Sequence, residues 1–94
     1  MDLNLKGKWA LITGASKGIG AGTAIAIAQE GCNLHLAARS AAGLEDVKQQ
    51  AASYGVEVRT HALDLSIPSN LQKLADGCGD IDILVNNAGD IPGG

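Results

Sequence analysis

The chain has 94 residues, a formal net charge of -3, 46% apolar and 18% charged side chains, which fits one small globular domain or part of a larger one and excludes a disordered segment. The negative charge gives no electrostatic footprint for nucleic acid, and Trp9 and Tyr54 are the only aromatic residues among Phe, Trp and Tyr, which leaves little on which a base could stack. Cys32 and Cys78 are far apart, the N-terminus "MDLNLKGKW" has no apolar signal core, and the longest apolar segment is too short for a bilayer, so a soluble, cytoplasmic protein with reduced thiols and no membrane partner is expected.

In chain order, "KWALIT" (8–13) reads as a short buried strand. "TGASKGIG" (13–20) follows, with Gly14, Gly18 and Gly20 where a strand hands over to a helix predicted over 18–30. Gly22 costs about 1 kcal/mol relative to Ala in a helix interior, and a close contact between helix and strand would explain it. Gly31 can close the helix in a left-handed cap. "NLHLAA" (33–38) is a second strand. Ser40 can cap a helix running to about Tyr54, with Leu44, Val47, Ala51 and Tyr54 on one apolar face and Gly55 as its stop. "VEVRTHAL" (56–63) alternates as a third strand should. Ser66 with nearby Pro68 opens a shorter helix carrying Leu71, Leu74 and Cys78, and "IDILVNNAG" supplies a fourth strand ending near Asn86.

This βαβαβαβ alternation implies right-handed crossovers and a parallel sheet covered on both faces, the first half of a doubly wound, Rossmann-like α/β fold. A pyrophosphate needs close backbone approach and the free N–H groups of a helix N-terminus. Glycines at the turn meet that need: Gly14 can leave the strand tightly, and Gly18 and Gly20 can let phosphates and backbone come close. The spacing is G-x-x-x-G-x-G, and no Gly-Lys-Ser/Thr closes it as in a P-loop.

"TGASKGIG" together with "NNAG" (86–89), in that order and with "DLS" (64–66) after the third strand, resembles the short-chain dehydrogenase/reductase family over 8–89. The resemblance implies that Gly14, Ser16, Lys17, Gly18, Ile19 and Gly20 line the pyrophosphate and adenosine-ribose part of a cofactor site. It implies that Asp64 and Leu65 contact the adenine, the carboxylate accepting from its exocyclic amine. Asn87, Ala88 and Gly89 would flank the adenosine side and steady the fourth strand.

The end of the second strand bears on the cofactor. In "AARS", Ala38 stands where an acidic residue would hold a ribose 2′-hydroxyl, and Arg39 follows with a guanidinium suited to a 2′-phosphate. Lys17 adds a second cation, as basic residues there do in NADP-preferring family members, so NADP(H) is expected over NAD(H).

The family's proton transfer uses a Tyr-x-x-x-Lys pair and a serine. Here the one tyrosine, Tyr54, is followed four residues later by Val58, and its expected task is packing. The matching catalytic residues would lie downstream of "NNAG", so none is assigned among these 94. The expectation is that 1–94 is the N-terminal part of a single dinucleotide-binding domain, truncated before its catalytic half, in a chain of roughly 250 residues. The parent would move hydride between NADP(H) and an alcohol or carbonyl substrate, as a homo-oligomer in the manner of the family. A non-catalytic dinucleotide-binding module or inactive truncation product is the alternative, with a methyltransferase on a similar sheet a further one that leaves "NNAG" unexplained. His35 and His61 lie in predicted strands without partners at ligand spacing; structural roles and no metal are expected.

Overall fold

A computed structural model describes residues 4–87. Four strands and three helices alternate: β1 (Trp9–Thr13), α1 (Gly18–Gln29), β2 (Asn33–Ala38), α2 (Ala41–Ala52), β3 (Val58–Ala62), α3 (Pro68–Cys78) and β4 (Ile83–Asn86). All ladders are parallel, in the order β3-β2-β1-β4, so β1 is central and the chain reverses direction of sheet growth after β3. That reversal opens a crevice at the carboxyl ends of the strands.

The pleat sorts each strand's side chains onto two faces. Ala10, Ile12, Leu34, Leu36, Ala38 and Val58 pack with Ala24 and Ala28 of α1 and Leu44, Val47 and Ala51 of α2. Leu11 and Ala37 face the other way, onto Leu65, Leu74 and Cys78. Ile12, Leu34, Leu36 and Leu44 are fully enclosed; burying each contributes about 1.5–3 kcal/mol. With few aromatics, this core relies on aliphatic side chains and on helices that approach closely.

The close approach in α1 uses Gly20, Ala24 and Ala28, the buried stripe at four-residue spacing. Gly22 is on the exposed side, and a Cβ there would meet nothing within 4 Å. The contact expected at Gly22 is therefore absent; Gly20 makes the close approach. Gly31 does adopt the left-handed conformation that ends the helix, at φ +82°.

Other boundaries differ from expectation, and β3 is shorter at both ends than the 56–63 expected. Helix α2 stops at Ala52, and Tyr54 falls beyond the apolar stripe: it is 47% exposed, its phenol oxygen accepting from Gln29 Nε2 at 3.0 Å. It links two helix ends at the surface instead of packing in the core. At α3 the N-cap is Ile67, with Pro68 in the first turn, because Ser66 is engaged by the Asp64 carboxylate. No helix among the described residues is long and apolar enough to cross a membrane.

Candidate functional site

The crevice begins at the exit of β1. Gly14 turns the chain at φ +62°, and Gly18 repeats the left-handed conformation at φ +59°. The Ala15 amide donates to the Ala37 carbonyl at 3.2 Å, pinning the turn against β2. A Cβ on Gly20 would lie 2.7 Å from the Gly14 carbonyl carbon and 3.2 Å from Ala15 Cα. Only glycine permits the turn to fold back onto the first turn of α1.

That first turn is left open. Lys17 occupies the N-cap in extended conformation with no side-chain cap, and no acidic residue stands in the turn. Helical N–H groups and the positive end of the helix dipole therefore face the crevice, an arrangement that attracts an anion.

The end of β2 and the start of α2 form the adjoining wall. Ser40 caps α2, its Oγ accepting from the Gly43 amide at 3.0 Å. A Cβ at Gly43 would lie 2.9 Å from Ser16 Cβ, so α2 is seated directly on the glycine turn. Lys17 and Arg39 are both exposed at the rim. Neither belongs to an ion pair among the described residues.

The third wall is the β3–α3 connection. Asp64 Oδ1 accepts from Ser66 Oγ at 2.6 Å and from the Ser66 amide at 3.0 Å. The Asp64 carbonyl accepts from Asn70 Nδ2 at 2.9 Å and the Ile67 amide at 3.2 Å. These bonds fix the loop, and the two from Ser66, with the nearby Arg39 charge, hold the Asp64 carboxyl below its usual range. The fourth side is the end of β4. Thr13 Oγ1 donates to Asn86 Oδ1 at 2.8 Å and accepts from the Asn87 amide at 3.1 Å, tying β4 to the strand that carries the turn.

Together these walls enclose a cleft of about 890 Å³. Gly14, Ser16, Lys17, Gly18, Ile19, Gly20, Arg39, Asp64, Leu65 and Asn87, all expected from sequence, line it. Ala88 and Gly89 lie outside the described residues. Ile19 is 82% exposed within the turn, an apolar side chain held out beside the open helix end. Leu65 is buried, its side chain belonging to the α3-side core while the residue still borders the cleft.

Sequence reasoning missed Gly43, Leu63 and Ser66 as lining residues and assigned Ser40 only a capping role. Gly43 gave the one usable signal, a glycine in the first turn of a helix where propensity opposes it. Tyr54 is not part of the lining.

Comparison with known proteins gives a consistent picture. The family model described as short chain dehydrogenase matches residues 8–93. The very-long-chain 3-oxoacyl-CoA reductase of Phaeosphaeria nodorum is 41% identical over 92 residues, covering 89% of this chain and 27% of the relative. The 3-oxoacyl-[acyl-carrier-protein] reductase of Vibrio harveyi is 40% identical over 88 residues, covering 93% of this chain and 36% of the relative. Among solved structures, L-sorbose reductase from Gluconobacter frateurii, complexed with NADPH and L-sorbose, superposes with a TM-score of 0.87 at 37% identity, over 95% of this chain and 36% of that one. The chain thus spans about a third or less of the length of these relatives.

Proposed function

Since the chain belongs to the short-chain dehydrogenase family, we propose that its cleft binds NADP(H) for an oxidoreductase that moves hydride between the cofactor and an alcohol or carbonyl substrate. The observation that carries this reading is the uncapped N-terminus of α1 beside two exposed cations, Lys17 and Arg39, in a cleft whose β2 wall presents Ala38 and no carboxylate. The donor set fits the group. Open N–H groups suit the pyrophosphate, and the absent Cβ at Gly20 keeps the turn compact. An arginine and a lysine at the rim suit a 2′-phosphate. The carbonyl-fixed loop presents Asp64 as an ionised acceptor for an exocyclic amine.

The nicotinamide, when bound, supplies the hydride; the residues described here bind and orient. Ser66 steadies Asp64, Ser40 and Gly43 hold α2 against the turn, and Thr13 holds the β4 end in register. Tyr54 lies outside the cleft lining and bonds to Gln29, so we assign proton transfer to residues beyond these 94. Residues 1–94 act in this reading as the cofactor half of one domain.

Equilibrium titration of the full chain with NADPH and NADH tests the proposal. Arg39→Ala should weaken NADPH by about 10- to 100-fold, the loss of a charge-assisted bond worth about 1.5–3 kcal/mol, and leave NADH nearly unchanged. Ala38→Asp should shift preference toward NADH by placing a like charge beside the 2′-phosphate. Tighter binding of NADH than NADPH by the unaltered protein would defeat the NADP(H) assignment; binding of neither would defeat the cofactor reading.

A further inference from the structure

On the α3 side of the sheet, His35, His61 and Cys78 converge from three separate elements. In the β2–β3 register His61 pairs with Ala37, so the two histidines are diagonal neighbours on one face. His35 Nδ1 lies 2.9 Å from His61 Nε2. Helix α3 ends at Cys78, whose Sγ lies 3.8 Å from the same His61 Nε2. One donor atom from each residue falls within 4.8 Å of the others. None of the three lines the cofactor cleft.

We propose that these three side chains form a binding site for a zinc-type divalent cation, holding the C-terminus of α3 to strands β2 and β3. Two imidazoles and a thiolate are the donors that a borderline-soft, tetrahedral cation selects over Mg²⁺ or Ca²⁺. Bond lengths of about 2.0–2.3 Å set neighbouring donors about 3.3–3.6 Å apart, and the observed separations of 2.9 and 3.8 Å bracket that spacing. Small rotations of His61, the partly exposed member, equalise these two, and the third pair, His35 and Cys78, within 4.8 Å of each other, closes by rotation of the Cys78 side chain at the helix end. Water supplies the fourth ligand.

The surroundings favour the cation and hold its ligands. The site sits at the C-terminal end of α3, where the helix dipole presents partial negative charge. The His35 ring is held by Trp9, at a centroid distance of 4.8 Å. Gly77 of α3 lies beside the His61 ring, where a Cβ would make ordinary contact with Cε1 at 3.4 Å. Arg59 is the nearby opposing charge; its guanidinium is drawn over Trp9 at 5.1 Å and toward Glu57 at 3.5 Å. Burial lowers both imidazole pKa values and so favours the neutral form with a free lone pair, while the same burial pushes the Cys78 thiol up, a cost that the cation offsets on binding.

The proton balance is simple. In the metal-free state one ring N–H lies between His35 and His61. On binding, that proton passes to the outer nitrogen of its own ring, so both rings remain neutral. The Cys78 thiol loses its proton to solvent, and one proton is released per ion. The other cysteine differs: Cys32 belongs to the opposite core and donates to the Lys8 carbonyl at 3.3 Å.

The test titrates the reduced full chain with Co²⁺ as a spectroscopic probe, then with Zn²⁺ in competition. The expected result is a thiolate-to-cobalt charge-transfer band saturating at one equivalent and erased by Zn²⁺. Cys78→Ser should abolish the band, and His61→Asn should weaken Co²⁺ by more than about tenfold, the lower bound set by losses of outer-shell partners. Cys32→Ala should keep the band. The NADPH affinity of Cys78→Ser should match that of the unaltered protein, which separates this site from the cofactor reading and verifies the fold. Absence of the band in the unaltered protein overturns the proposal. So does a band that survives Cys78→Ser or depends on Cys32.

Discussion

Burial and the neighbouring charges depress the pKa of His35, and burial with Arg59 depresses that of His61, both below the ordinary value of 6.5. The unfolded chain therefore binds protons that the folded chain refuses. Stability is full above pH 6.5 and falls as pH drops below it, because the unfolded state takes up protons first. With a chelator present, the urea midpoint should decline from about pH 6.5 downward, and His61→Gln should flatten that decline. An unchanged slope in His61→Gln would show that the pair does not set it. Asp64 acts in a lower window: its depressed carboxyl contributes above its ordinary 3.8 and loses that contribution as pH falls further. At this scale the sequence was only partly legible. Gly14, Gly18 and Gly20 declare their roles because no other residue type tolerates the turn. The histidine pair does not, because its contact spans 26 residues and depends on a strand register that spacing along the chain does not encode.

Within α1, a methyl group on Gly20 would strike the Gly14 carbonyl, whereas one on Gly22 would enter open space. Gly20→Ala should cost about 1–3 kcal/mol as an overpacking change and weaken NADPH. Gly22→Ala should stabilise the fold by about 0.5–1 kcal/mol by restricting the unfolded chain and restoring helix propensity. Chemical denaturation of both variants checks this; destabilisation by Gly22→Ala would mean that α1 has a neighbour on that face. Elements β1 and β2 were legible nearly to the residue, since turn-forming residues bound each apolar run. The start of α3 was not, because Ser66 had two possible partners, its own helix and the Asp64 carboxylate. Tyr54 misled for a related reason: helical spacing continued on paper for two residues after the backbone had left the helix at Ala52. Ser40 was read as a cap and is one, but its place in the cleft follows from how α2 sits on Ser16, a tertiary fact.

Across the whole molecule, the expected site residues meet because every helix follows a parallel strand, which brings all the strand-to-helix turns to the carboxyl end of the sheet. Alternation alone made that legible. Among the described residues β4 pairs with β1 on one side alone and presents Leu84 at 62% exposure. The 94-residue chain produced alone should self-associate through this edge, and Leu84→Lys should shift it toward monomer in sedimentation velocity. An equally associated Leu84→Lys chain would move the contact elsewhere. The strand order has a further consequence, in time instead of space. Of the four described strands β1 is made first, yet its second neighbour, β4, is made fourth, with registered partners such as Leu11 and Leu84 separated by 73 positions. During synthesis β1, β2 and β3 can pair while one flank of β1 waits. Closing that flank is the most nonlocal step in the sheet, and such steps are slow. The hydroxyl of Thr13, which reaches both Asn86 and the Asn87 amide, then acts as the latch that marks correct arrival of β4. The cofactor crevice is complete only after that late event, so folding intermediates of this chain should carry a formed glycine turn and no competent binding site.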